Sequence, residues 1–419
     1  MMKKLLLIFA VALLSSTSWA QFGDEFFCVN GIWYERMPEE GCYDCPPKAS
    51  VVGIHTLDYY GYDEYPVGMA AYKGDIVIPQ VVKYMGEQFV VESIAPCAFQ
   101  GDEEYDDLDG NEMLVRPISD LTSVTLPATL SRIGERAFAN CCKLTSIKIP
   151  SGVYDIGDAA FELCENLKTV HIDDLNSWSS IYFSDEASNP LSQGGALYVK
   201  GQKVTDLVFP DGLYVIESYA YYGCSSITSV NIPNSVIRIG DNVFGKCQNL
   251  TSVELHCGYV GPWFSGYPIK NLILGNEVIS IGDFAFRFCN QLSTVTIPNS
   301  VTSIGKSAFE SCSGLTAVTL SSKLSEIGDQ AFFGCKNIKE VTALCKRPTP
   351  ITANVFPYRS TQKLYVPKGY VNAYEAADYW WQFFDIVELG SSELEGDMNG
   401  DGTLTITDAL IIINMILGK

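Results

Sequence analysis

Apolar residues recur along this chain with a beat of 23. One period runs Leu292-x-x-Val295-x-Ile297-Pro298-x-x-Val301-x-x-Ile304-Gly305-x-x-Ala308-Phe309-x-x-Cys312. Alternation at Val295 and Ile297 predicts a short strand with Thr294 and Thr296 pointing outward. Pro298, which has no N–H to donate, ends it. Val301 and Ile304 then return to the core, Gly305 reads as a tight bend, and Ala308, Phe309 and Cys312 read as a half-turn or 3₁₀ piece facing inward. One period supplies about eight inward side chains, too few for a core of its own, so it must stack on its neighbours. The Ile-Gly step returns at Ile133, Ile156, Ile239, Ile281 and Ile327, and more loosely at Ile94 and Ile216. The fold class expected is an α/β solenoid with short parallel strands on one face.

The beat breaks twice, with 60 residues from Ile156 to Ile216 and 42 from Ile239 to Ile281. The first break holds Trp178 and Tyr182-Phe183; the second holds Tyr259, Trp263-Phe264 and Tyr267. Insertions in solenoids emerge as loops on one face, often the binding face. Trp178, Trp263, Phe264 and Tyr267 are therefore candidate surface residues, joined by Thr294 and Thr296 of the strand face. The other reading has these aromatics plugging the gap left by irregular coils, as large aromatics are often buried.

The segments around the repeats complete a domain plan. Residues 1–20 read as a secretory signal peptide, with Lys3-Lys4, an apolar run from Leu5 to Leu14, and a cut near Ala20. That run is half the ~20 residues a spanning helix needs, and no later stretch is long and apolar enough, so no membrane insertion is expected. Residues 21–93, with short strands at Asn30–Tyr34 and Gly74–Pro79, form an N-terminal cap; 94–356 are the solenoid. Residues 357–389, with Tyr374, Trp380, Trp381, Phe383 and Phe384, form a C-terminal cap over the end of the core; 390–395 are a linker. The acidic stretch Asp102–Asp107 reads as a solvated loop.

Charge narrows the partners. The full chain carries −21, and loss of Lys3 and Lys4 would leave −23. Such a balance repels phosphates and anionic lipid, so nucleic acid is excluded as a partner class. Fourteen cysteines in an exported chain suggest a disulfide framework. The repeat argues otherwise. Cys141, Cys164, Cys224, Cys247, Cys289, Cys312 and Cys335 all stand three residues after the repeat's aromatic residue. They share one inward position on rungs about 4.7–4.9 Å apart, wider than the ~3.8 Å Cβ separation of a disulfide. They read as buried thiols. Cys28, Cys42 and Cys45 leave room for one disulfide. His55, His171 and His256 lie in different repeats or caps, with no nucleophile–base pair suggested by position, so no enzyme is expected.

Residues 396–419 carry different chemistry. Asp397, Asn399 and Asp401 occupy positions 1, 3 and 5 of a loop with Gly402 at position 6; Thr403 offers a carbonyl at 7, Thr405 a water-holding hydroxyl at 9, and Asp408 a carboxylate at 12. That is the oxygen-ligand spacing of a calcium loop, and the apolar stretch Ala409–Leu417 would follow as a helix. This EF-hand-like loop-helix resembles a dockerin type I repeat. The resemblance implies docking to a cohesin-like scaffold with Ile406 and Thr407 as partner-choice positions; dockerins carry two such repeats, and here there is one.

The 23-residue units, over about residues 30–389, resemble the BspA-like leucine-rich repeat family through the Ile-Gly-x-x-Ala-Phe-x-x-Cys phrase. The resemblance implies a right-handed solenoid, no catalysis, and a secreted or cell-surface adhesion module that binds a host or bacterial surface protein. The strand face would then offer Thr125, Lys148, His171, Asn231, Glu254, Thr294, Thr296 and Thr319. An alternative is an accessory, glycan-binding component of a secreted polysaccharide-degrading assembly, docked through the tail, with Trp263, Phe264 and Tyr267 stacking on sugar rings.

Overall fold

The computed structural model describes residues 26–37, 47–52, 72–101, 120–390 and 411. They fall into two compact units built from interleaved stretches of chain. One holds the residues through Thr205 together with Val215–Ser226 and Arg238–Cys247; the other holds Asp206–Tyr214, Ile227–Ile237 and the chain from Gln248 onward.

In the second unit each coil contributes a longer and a shorter strand. The longer strands Thr294–Thr296, Ala317–Leu320, Glu340–Ala343, Lys363–Val366 and Asp385–Glu388 form one parallel sheet. Strands Asp206–Val208, Ser229–Ile232, Ser252–Leu255 and Asn271–Leu274 form another. A separate parallel ladder joins the two-residue strands Tyr259–Val260, Ser280–Ile281, Ser303–Ile304 and Glu326–Ile327. The first unit repeats the plan. Ser146–Lys148, Thr169–Ile172 and Ala196–Val199 pair in parallel, while Glu87–Ile94, Arg132–Ile133, Asp155–Ile156 and Tyr182–Phe183 make the short-strand side. Its sheet begins with an antiparallel hairpin, Phe26–Val29 and Ile32–Arg36, turned at Asn30-Gly31, where both residues have positive φ.

The fold is thus a solenoid of stacked parallel strands, with two corrections. Strands line two sides of the coil, not one face, because the residue before each repeat isoleucine pairs across coils as well. Helix is almost absent: among the described residues α-helix is confined to Leu175–Ser179, Val371–Glu375 and Ile411. The coil is closed by turns where an α/β solenoid would place helices. The EF-hand-like tail lies outside the described residues, apart from Ile411.

The eight expected core positions of one period are all inside: Leu292, Val295, Ile297, Val301, Ile304, Ala308, Phe309 and Cys312 are each no more than 3% exposed. The larger of these gain about 1.5–3 kcal/mol each by leaving water, but only because the next coil covers them. The aromatic position forms stacks, Phe286–Phe309 and Phe309–Phe332 at 5.3 Å in the second unit, and Phe99–Phe138 and Phe138–Phe161 at 5.0 and 5.2 Å in the first.

The turn between the short strand and the aromatic residue carries a third set of inter-coil hydrogen bonds. Ser307, Phe309 and Ser311 donate their N–H groups to the carbonyls of Asp329, Ala331 and Phe333 one coil on, at 3.0, 2.8 and 2.6 Å. Alternate N–H groups close i→i−3 turns inside the coil, as Glu310 does to Ser307 and Cys312 to Phe309. Sending successive N–H groups in opposite directions requires left-handed backbone at two sites per coil. Ser307 and Ser311 have φ of 53° and 59°; Phe284 and Phe288, and Arg136 and Asn140, repeat the pair.

The thiols complete this turn. Cys312 Sγ donates to the Phe286 carbonyl at 3.0 Å and Cys335 Sγ to that of Phe309 at 3.1 Å; Cys164 meets Phe138 and Cys247 meets Tyr221 in the same way. The carbonyls of Phe138, Tyr221, Phe286 and Phe309 therefore each accept their own coil's cysteine N–H and the next coil's S–H. Burial pushes the Cys289 thiol up to about 12, so it stays a protonated donor. The seven repeat cysteines are all buried thiols. Cys28 is half-buried; Cys42 and Cys45 lie outside the described residues.

Gly305 serves a different end from the expected bend. A Cβ there would stand 2.5 Å from the backbone nitrogen of Asp283 in the preceding coil, and at Gly134 and Gly157 the equivalent distance is 2.6 Å, to Pro96 and Glu135. Glycine lets the coils approach. Both register breaks are coils of other lengths. Tyr259–Val260 forms a rung 21 residues before Ser280–Ile281, and Tyr182–Phe183 a rung 27 residues after Asp155–Ile156. At the C-terminal end Tyr374, Trp380 and Phe383 close the core, with Tyr374 Oη donating to Cys345 and Trp380 Nε1 to Thr349 carbonyls. Trp381 and Phe384 point outward, contrary to expectation.

Replacing Gly305 with Ala should force the two coils apart. We expect a loss of about 1–3 kcal/mol, typical of overpacking, seen as a lower urea midpoint. The exposed change Lys323→Ala should leave that midpoint unmoved.

Candidate binding surface

Side chains that leave the core do so in registered rows. In the second unit Thr296, Thr319, Thr342 and Tyr365 face one another across adjacent parallel strands, as do Thr294, Ala317, Glu340, Lys363 and Asp385. Thr294 and Thr296 are exposed, and Thr319 is half-buried. Asn231, Glu254 and Ile273 form a similar row. In the first unit Lys148, His171 and Tyr198 are in register; His171 and Tyr198 rings lie 5.1 Å apart, Lys148 pairs with Asp173 at 2.8 Å, and Thr125 is exposed. The strand spacing fixes these groups about 4.8 Å apart along the stack.

The aromatics of the two breaks divide. Trp178 is 1% exposed, its Nε1 donating to the Ala220 carbonyl at 2.8 Å, and Phe264 is fully buried, stacked on Phe286 at 6.1 Å with its carbonyl accepting the Cys289 thiol. Both are core residues. Their expected place on a binding surface is corrected: Phe264 continues the ring stack through an irregular coil, and Trp178 packs edge-on against Phe183 inside the other. Trp263 and Tyr267 are half-buried beside Phe264, Trp263 standing edge-on to the exposed ring of Tyr259 at 6.3 Å. The tail residues Asp397, Asn399, Asp401, Thr403, Ile406, Thr407 and Asp408 lie outside the described residues. Among the described residues no cluster of histidine, cysteine and carboxylate side chains is arranged to hold a metal ion, and no helix is long and apolar enough to cross a membrane.

One arrangement escaped sequence reasoning. His256 lies between two carboxylates, Nδ1 2.9 Å from Glu277 and Nε2 2.9 Å from Glu254. Glu277 is 21 residues away, in the next coil, and the coil of His256 lacks an Ile-Gly phrase, so nothing local in the sequence pairs them. Partial burial lowers the imidazole's pKa, but the hydrogen bonds from Glu277 and Glu254 outweigh it and hold the pKa above 6.5. The hydrogen bond from His256 holds Glu277 below its ordinary 4.5. Gly275 leaves the space: a Cβ there would run into the imidazole.

The match to known families decides what this stack is. The model of the BspA type leucine-rich repeat region matches in six copies, over residues 117–189, 196–260 and 262–377. The chain belongs to the BspA-type leucine-rich repeat family. BspA-type repeats build non-enzymatic binding scaffolds in general, and the solenoid here is of that kind. Among solved structures, a leucine-rich repeat protein from Bacteroides ovatus is 23% identical, covering 82% of this chain and 100% of its own, with a TM-score of 0.44. The pneumococcal vaccine antigen PcpA is 17% identical, over 87% and 98%, at 0.41. A leucine-rich cell surface protein from Faecalibacterium prausnitzii is 18% identical, over 91% and 99%, at 0.38. No curated protein matches.

The His256 clasp gives a pH signature. Because the imidazole's pKa is raised, its contribution is present below pH 6.5 and fades as pH rises through the raised value. Glu277 is lowered, so its contribution is present above pH 4.5 and fades as pH falls through the lowered value. His256→Gln should therefore cost most between pH 4.5 and 6.5 and little at pH 9, as read from thermal melts across pH. A pH-independent difference would show that the clasp is only packing.

Proposed function

We propose that this BspA-type chain is a secreted or cell-surface adhesion module that binds a protein on host or bacterial surfaces through its registered strand rows. The observation that carries this reading is the row Thr296–Thr319–Thr342–Tyr365. Short side chains there lose little entropy on contact, and the strands beneath fix their spacing. Nothing about the row suits chemistry on a substrate, and the −21 charge selects a partner that is not polyanionic. Immobilised extracellular-matrix and bacterial surface proteins are the probes. Thr319→Arg, placed mid-row, should weaken a bound partner at least tenfold, about 1.4 kcal/mol, with melting unchanged. Full binding by the variant would move the interface off this face.

The tail is the second element of the proposal. Asp397, Asn399, Asp401, Thr403 and Asp408 would hold calcium, and Ile406 and Thr407 would meet a cohesin-like scaffold, so that the solenoid is displayed on an assembly. The ligand spacing in the sequence supports this. Calcium should raise hydrogen-exchange protection across residues 396–419 in the full chain, and Asp397→Ala with Asp401→Ala should abolish that gain. Equal protection with and without calcium would remove the calcium site.

A further inference from the structure

We infer that the second unit carries a separate binding site for neutral glycan, an aromatic ledge built from Tyr259, Trp263, Phe284 and Phe288 around Arg287. This goes beyond protein binding by the strand rows and does not depend on it. Phe284 and Phe288 occupy the two left-handed positions of their coil, at φ 60° and 62°. One and two rungs along, where the backbone is the same, the residues are Ser307 and Ser311, then Gln330 and Gly334. A bulky aromatic in this region costs free energy that glycine or asparagine would avoid. Burial does not offset it, since Phe284 is 37% and Phe288 42% exposed. The rings are held there at the expense of local backbone energy, with no core to fill.

The surroundings hold the rings still. The Arg287 guanidinium lies over both, 4.5 Å from the Phe288 centroid and 5.5 Å from that of Phe284, and is anchored on Glu310 at 2.9 and 3.0 Å. Tyr259, 55% exposed, lays its ring over Gly282, two residues before Phe284; a Cβ at Gly282 would collide with it. Trp263 stands at 90° to Tyr259. Next in the chain to Phe284, Asp283 accepts the Lys306 N–H through Oδ1 at 2.6 Å, leaving its second oxygen to accept from a ligand, and Arg287 has N–H groups beyond those facing Glu310.

This combination selects the ligand class. Fixed aromatic faces interleaved with prepositioned donors and acceptors match a sugar ring, which presents a C–H face and a hydroxyl rim. An extended peptide finds no strand edge here, because Ser280–Ile281 is paired on both sides. Anionic ligands are disfavoured by the chain's charge and by the neutralisation of Arg287 by Glu310.

Binding of neutral hexasaccharides (β-1,4-glucan, β-1,4-mannan and α-1,4-glucan) to the full chain would be measured by calorimetry and by Trp fluorescence. The variants are Phe284→Asn and Phe288→Gly, residues that the equivalent positions Asn242 and Gly334 already carry. At least one hexasaccharide should bind, and the double variant should lose at least tenfold in affinity while its melting temperature holds or rises. The inference is overturned if none of the three binds, if the double variant binds as the parent does, or if it melts several degrees lower, which would make the rings structural. Loss of a protein partner in this variant without any sugar binding would likewise overturn it and assign the ledge to protein. Thr319→Arg should not affect sugar binding, so failure of either reading is distinguishable from failure of the other.

Discussion

The carbonyl of the repeat's buried aromatic residue is the point on which each coil depends. At Phe138, Tyr221, Phe286 and Phe309 it accepts a main-chain N–H from its own coil and a thiol from the next, at a depth where an unmet acceptor would cost about 1–3 kcal/mol. Because the N–H of that same aromatic residue is committed forward to the next coil, the turn can only be drawn with left-handed backbone on either side of it. The spacing of aromatic and cysteine, the stacking of the rings and the strained pairs all follow. Serine in place of cysteine would fit the hydrogen bond but would bring a more polar group into an apolar row; cysteine serves as a small hydrophobe with one weak donor.

Close approach is the second constraint, and it acts on the same coils. Three sides carry hydrogen bonds between neighbours, so the coils must sit within strand distance all the way round, and glycine at the step after the repeat isoleucine makes that possible. Where the preceding coil departs from the regular path, at Tyr259, a side chain takes the space that backbone fills elsewhere. The irregular coils are repaired by borrowed aromatics: Phe264 continues the ring stack, and the buried Trp178 ties its coil to the Ala220 carbonyl.

What the sequence made readable was the inside of the coil. The eight apolar positions, the outward threonines at Thr294 and Thr296, and the thiol position could all be placed from the period alone, because each is dictated by burial and burial has a signature in residue type. The second strand ladder was not readable: a two-residue strand such as Ser303–Ile304 is too short to alternate. Nor were the left-handed pairs, which hold arginine, alanine, serine and phenylalanine alike. The surface was least legible. Trp178 and Phe264 looked like exposed loop aromatics because the beat was broken around them, whereas the break was only a change of coil length. The His256 clasp joins residues whose partnership exists only after stacking.

Where a left-handed pair is exposed, as at Phe284 and Phe288, it gives the coil two places where sequence drift is unusually free; Asn140 and Ser307, at the same positions of other coils, are buried. A change at an exposed pair does not reach the core, and its default direction, toward glycine or asparagine, relaxes the backbone. Such a coil can therefore gain or lose a surface group without renegotiating its packing. A stack built this way is a row of rewritable labels on an unchanging spine, and its recognition properties can diverge between relatives much faster than its fold.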